Sequence, residues 1–159
     1  MEKKVSKLTG LLALVVFALF ALCVLGVLLT GAKGYEALVR RGGESYAVRT
    51  AAQYLSTRVR QGDCAGGIAV EDFDGQSALV LRQEIDGEPY LTRVYCYDGF
   101  LRELFTTETG SFSPEDGEKL LEMESLRFAA EGDSLSAQFV TAGKPGNCIW
   151  YLRSGEVQP

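Results

Sequence analysis

Leu11 to Leu29 is a run of 19 residues with no charge and no polar side chain apart from Cys23. As an α-helix it rises about 28 Å, at about 1.5 Å per residue, which matches a hydrocarbon core about 30 Å thick. Fourteen of the 19 are Leu, Val or Phe. At roughly −0.3 to −0.6 kcal/mol each on an insertion scale, they favour lipid by several kcal/mol, and no Asp, Glu, Lys or Arg opposes them. A surface helix of a soluble domain keeps a polar face, and this run has none. The sequence therefore predicts a transmembrane helix over 11–32. Around it lie a short basic segment, 1–10, an amphipathic stalk helix, 33–61, and a sheet domain, 62–155.

Charge bears on orientation and partners. Lys3, Lys4 and Lys7 precede the apolar run, and Lys33, Arg40, Arg41 and Arg49 follow it, so the count of flanking cations is nearly balanced. The short basic N-terminus and the long C-terminal domain favour a cell-membrane protein with its N-terminus in the cytoplasm and its head outside. Lys33 to Gln61 carries six basic and two acidic residues; Gly62 to Pro159 carries seven basic and eighteen acidic, a balance of −11. A head of that sign repels nucleic acid phosphates, so it is not expected to bind nucleic acid directly. The expected partners are the lipid bilayer and other proteins of an envelope assembly. The basic stalk could also hold anionic lipid headgroups or wall polymers.

Glycine and proline punctuate the rest. Apolar residues at Tyr35, Leu38 or Val39, Tyr46, Ala51 or Ala52, Leu55 and Val59 recur near helical spacing. Gly42-Gly43 predicts a kink or break, a firm helix follows from Glu44 to Arg60, and Gly62 is a candidate cap. The period then shortens. Strands are expected at 68–73, 78–85, 89–97 and 100–105, with Asp86-Gly87 and Asp98-Gly99 as tight hairpin turns between the last three. Ser113-Pro114-Glu115 is a possible helix start, and Glu118 to Glu122 a possible helical turn. Further strands are expected at 126–130, 134–141 and 148–153. Gly132-Asp133 and Lys144-Pro145-Gly146-Asn147 supply the turns, and the last six residues should fray. The fold class is α+β: a helix laid on an antiparallel sheet of four to six strands.

Several clusters invite a functional reading, each beside a plainer one. Glu71, Asp72 and Asp74 could offer oxygen ligands to calcium, but their spacing suits a solvated acidic loop. Tyr90, Tyr95, Tyr97, Phe100 and Phe105 could stack a ligand, or simply pack across strands. Arg58 and Arg60, with Asp63 nearby, suit a helix C-terminus; a salt bridge to a neighbouring subunit is the sharper alternative. Cys64, Cys96 and Cys148 cannot all pair internally, and no C-x-x-C spacing points to zinc or redox exchange. The chain has no histidine, no G-x-S-x-G, no phosphate-cradling glycine loop and no H-E-x-x-H. No catalytic, cofactor-binding or metal-binding residues are therefore assigned, and an enzyme is not expected.

Met1 to Gly10 is a basic leader that ends in glycine just before the apolar run, and it resembles a type IV prepilin leader, which is cut after the glycine. The glutamate usual at the fifth mature position is replaced here by Val15. An uncut anchor and cleavage at Thr30-Gly31-Ala32 are the other fates. A lipoprotein signal needs a small residue before the cysteine, where Leu22 stands. The order of anchor, amphipathic helix and antiparallel sheet is similar to the pilin and pseudopilin plan. Tyr54-Leu-Ser-Thr-Arg-Val-Arg-Gln-Gly-Asp63 and Tyr95-Cys-Tyr-Asp-Gly-Phe-Leu-Arg-Glu-Leu104 resemble an uncharacterised family of clostridial membrane proteins and the ComGF type of minor competence pseudopilin. The likeness spans about Tyr46 to Phe128. It implies a pilin-like structural subunit of a secretion, competence or pilus assembly. The alternative is a membrane-anchored extracytoplasmic module that binds a ligand or partner, which a cleft with convergent polar groups would favour.

Overall fold

The computed structural model describes residues 2–153 and 157. The backbone is helical over Glu2–Gly62 (α1), and eight antiparallel strands follow: β1 Ile68–Phe73, β2 Gln76–Ile85, β3 Glu88–Tyr97, β4 Phe100–Thr107, β5 Glu118–Glu122, β6 Ser125–Glu131, β7 Ser134–Thr141 and β8 Lys144–Tyr151. The chain divides into two compact units, Met1–Gly42 and Gly43–Pro159. In the first, Leu14–Ala32 is long and apolar enough to cross a membrane, and none of that window is buried. Leu12, Phe17, Phe20 and Val27 each expose 64% or more of their surface. A helix so apolar all round is at home in lipid rather than water. The expected break at Gly42-Gly43 is absent as a break: helical bonding continues through both, and the division between the units falls between them. Glycine lowers helix propensity by about 1 kcal/mol but keeps its N–H, so the ladder persists.

In the second unit the strands form two sheets rather than one, ordered β1-β2-β3-β4-β5 and β6-β7-β8. The larger sheet falls within the expected four to six strands, and among the described residues the smaller sheet adds three. Four hairpins close through two residues that both have positive φ: Asp74-Gly75, Asp86-Gly87, Asp98-Gly99 and Ala142-Gly143. Such turns match the right-handed twist of the paired strands, and Asp-Gly suits them because both residues tolerate left-handed backbone.

Three stretches depart from the sequence reading. Glu118–Glu122 is a strand on the edge of β4, not a helical turn, because an open ladder of N–H and C=O groups outweighs weak local helix preference. Ser113-Pro114-Glu115 starts no helix; Ser113 N donates to Asp116 Oδ2 at 2.7 Å in a closed turn. Lys144-Pro145-Gly146-Asn147 is not the turn but the start of β8, which ends at Tyr151.

One core joins the helix to both sheets. Ala51, Leu55 and Val59, one helical turn apart, are at most 1% exposed. They cluster with Ile68, Leu79, Leu81, Val94, Cys96 and Leu101 of the larger sheet and with Leu126, Phe128, Leu135, Ala137 and Phe139 of the smaller. Tyr46 is off this face, 72% exposed, because five residues separate it from Ala51 and the helix has turned away. Gly62 ends α1 without a left-handed φ, so it is not the expected cap. Its smallness serves packing instead: a Cβ there would lie 2.7 Å from Leu81 Cδ2. Val157 is buried, and its N–H reaches Gly132 O at 3.1 Å, so the expected fraying does not reach that residue. Residues 154–156, 158 and 159 lie outside the described residues.

Candidate functional site

The last turns of α1 bring Tyr54 and Arg58 to one side, four residues apart, facing Glu103 of β4. Strand alternation puts Glu103 on the same face as Leu101 and Phe105. Arg58 Nη2 donates to Glu103 Oε1 at 2.5 Å, and the Tyr54 hydroxyl donates to the other carboxylate oxygen. Arg58 Nε reaches the Tyr54 oxygen at 3.2 Å, its Nη1 reaches Gln61 Oε1 at 3.1 Å, and its guanidinium lies over the Tyr54 ring. Burial, and then the hydrogen bond to Glu103, push the Tyr54 phenol above its ordinary range. Beside the cluster is a cavity of about 180 Å³, lined by Arg58, Gln61, Gln83, Thr92, Glu103 and Phe105. On the far side of the helix, Trp150 Nε1 donates to Ser56 Oγ at 3.1 Å. The helix end is thus fastened to both sheets by polar contacts as well as by the core.

The opposite face of the larger sheet is armoured by cations on aromatic rings. Arg93 pairs with Glu71 at 2.6 Å and lies over Phe73; Arg102 lies over Tyr97, and Lys119 over Phe100. The segment between β4 and β5 folds back across this face. The Tyr95 hydroxyl donates to Pro114 O at 2.9 Å, and Arg102 Nη1 donates to Glu115 O at 2.7 Å and Gly117 O at 3.2 Å. Burial raises the Tyr95 phenol. Arg102, 6% exposed, is therefore a buried cation held by carbonyls, with Asp98 3.9 Å away.

The clusters singled out in the sequence are largely dispersed. Glu71 and Asp72 point to opposite faces of β1, and Asp74 is the first residue of a turn. Asp72 Oδ1 accepts from Gly75 N at 2.8 Å. Among the described residues no three His, Cys, Asp or Glu gather as a metal site would require. The aromatic group splits: Tyr90 and Phe105 stack at 5.2 Å on the helix side, while Tyr95, Tyr97 and Phe100 lie on the other. Arg58 is bound within the chain, and Arg60 Nε donates to Ser56 O at 3.2 Å. Asp63 accepts from Arg153 N at 3.1 Å. All four cysteines are unpaired. Burial raises the thiols of Cys96 and Cys148, and Cys96 Sγ donates to Met123 O at 3.2 Å. The side chains of Lys33, Arg40 and Arg41 lie outside the described residues. Sequence reasoning missed the partner in the Tyr54–Arg58–Glu103 cluster. Tyr54 and Arg58 advertise themselves by i, i+4 spacing, but Glu103 lies 45 residues on and carries no local signal.

An apolar helix of membrane length ahead of a small α+β head is the plan of a single-pass membrane protein. Residues 46–142, more than half of the chain, match a domain of unknown function, DUF4860, and the chain belongs to that family. No curated protein and no solved structure matches it. The matched region begins where the helix enters the head and ends in the turn before β8.

Proposed function

We propose that this chain is a pilin-like minor structural subunit of an envelope secretion, competence or pilus assembly, held by its apolar helix with the head outside the cytoplasm. The observation that carries the reading is the shared helix. One helical segment supplies a membrane-length apolar surface, and another supplies Ala51, Leu55 and Val59 to the core of the head. Its contribution is contact rather than catalysis. Mass spectrometry of the N-terminus of membrane-extracted protein tests the assignment: a mature chain beginning at Leu11 supports it, and Met1 intact on all of the protein overturns prepilin processing. Orientation is tested at Cys64, which is exposed. A membrane-impermeant maleimide should label it in intact cells, and labelling only after lysis would reverse the topology.

The cavity beside Arg58 favours a second reading, a membrane-anchored binding module. Gln61, Gln83 and Thr92 converge there with Glu103 beside the exposed Phe105 ring. A screen of small polar metabolites by thermal shift on the full chain tests it, and a response abolished by Thr92→Val would move the assignment from assembly to capture.

A further inference from the structure

Strand β8 is an edge of the smaller sheet, and its free side can be worked out from its turn. In a two-residue hairpin the flanking residues, here Thr141 and Lys144, form a hydrogen-bonded pair, and pairs then alternate along the ladder. The bond from Leu152 N to Asp133 O at 2.9 Å continues that alternation. The amides and carbonyls of Asn147, Ile149 and Tyr151 therefore point away from β7, toward an edge that no strand among the described residues pairs with. The side chains of the same residues stand on the solvent face: Ile149 is 58% exposed and Tyr151 74%.

Edge strands are usually protected by charge, and the other edges of the head are. β1 carries Glu71 and Asp72, β5 carries Glu118, Lys119 and Glu122, and β6 carries Arg127 and Glu131. β8 opens with Lys144, but from Pro145 to Tyr151 it carries no charge, and Ser134, Ser136 and Gln138 beside it on β7 add none.

We propose that the free edge of β8 pairs antiparallel with β8 of a second copy of this chain, making one continuous six-stranded sheet. A twofold axis through such a pair sets a strand against itself, so donors and acceptors match without a foreign sequence. Centred on Ile149, the register uses all three outward amides: Ile149 faces its own copy, and Asn147 faces Tyr151. Charge argues for the same occupant. A head with a balance of −11 repels a second such head across most of its surface, whereas this uncharged strip lets two copies approach without opposing carboxylates. A basic partner would find no carboxylate on 145–151 of the strand itself. The inference rests on the strand edge alone and holds whether or not the leader is cut.

The test uses full-length protein in detergent micelles. Opposed residues in a hydrogen-bonded pair have Cα atoms about 5.5 Å apart, within disulfide reach. Ile149→Cys should therefore cross-link to a dimer on mild oxidation, above the background of wild type and of Ser136→Cys, which sits one strand in from the edge. Light scattering should show a wild-type dimer that strengthens with salt as head repulsion is screened. Ile149→Lys should weaken it at least tenfold with an unchanged unfolding temperature. The proposal fails if Ile149→Cys cross-links no better than Ser136→Cys, if Ile149→Lys dimerises like wild type, or if wild type is monomeric at all concentrations tested.

Discussion

Leu55→Ala tests whether the helix end belongs to the head or merely leads to it. Leu55 is fully buried in the cluster that joins α1 to both sheets. Truncation removes three carbons, about 0.8 kcal/mol each in transfer free energy, or roughly 2.4 kcal/mol. The space left behind adds about 24 cal/mol per Å³ of cavity that fails to collapse. Two sheets and a helix converge on the site, so it relaxes poorly, and the total should be about 3 to 4 kcal/mol. A unit of about 120 residues unfolds with an entropy near 0.25 kcal/mol/K. The midpoint should therefore fall by about 12 to 16 °C, followed by near-UV circular dichroism or Trp150 fluorescence in micelles. Thr57→Ala is the control: Thr57 is exposed, and its hydroxyl bonds only to Gln53 O. A Leu55→Ala midpoint within about 2 °C of wild type would refute the shared core, and with it the main support for the pilin-like reading.

Arg58→Ala, Glu103→Gln and the double variant should yield a coupling of about 1 kcal/mol, discounted because the side chains are 31% and 18% exposed; chemical denaturation reads it, and independent single effects would show that the pair is only geometric. The raised Tyr54 phenol gives stability that is fully present below pH 10 and is lost as pH rises above it, because the unfolded tyrosine ionises first. Stability measured from pH 9 to 11.5 should fall more gently in Tyr54→Phe than in wild type. Gly67→Ala would put a Cβ 2.5 Å from Gly62 O and should cost about 1 to 3 kcal/mol. Gly43→Ala meets nothing within 4 Å, so replacing a helical glycine should stabilise by about 0.5 to 1 kcal/mol. Thermal midpoints of the two should move in opposite directions.

What the sequence makes legible is what short-range chemistry decides. Asp86-Gly87 and Asp98-Gly99 announce their turns because Asp and Gly tolerate left-handed backbone. Asp74-Gly75 carries the same signal, but it is masked by two neighbouring carboxylates that invite a ligand reading and in the fold face opposite ways. Ala142 in a left-handed turn has no such signature, and Lys-Pro-Gly-Asn just after it looks like a better turn. Pro145 is nonetheless tolerated inside β8, because its missing N–H falls on the free edge. Glu118 to Glu122 reads locally as a helical turn and becomes a strand because β4 offers an open ladder. The division into two sheets depends on where β6 crosses the larger one, fixed by contacts such as Phe128 N to Ser77 Oγ at 2.9 Å. Those residues are 51 positions apart, and nothing in either neighbourhood names the other.

The same distinction bears on function. Features that repeat locally, such as the apolar run and the basic stalk, point to the membrane, and they are the parts a reader of the sequence finds first. The features that distinguish this head are assembled from afar: a carboxylate brought to two helix side chains, a buried arginine held by a returning loop, and an uncharged strand left at an edge. Glu103 and Arg102 each stabilise a junction between elements, and Arg102 also lies over the Tyr97 ring. The edge of β8 stabilises nothing within the chain by being apolar. Ile149 and Tyr151 expose most of their surface, while Leu135 and Ala137 on the core face of β7 are fully buried. An exposed strand edge that carries no charge beyond Lys144 is a liability unless something covers it. A chain that charges its other edges and leaves 145–151 of this one without charge is built to have that stretch covered.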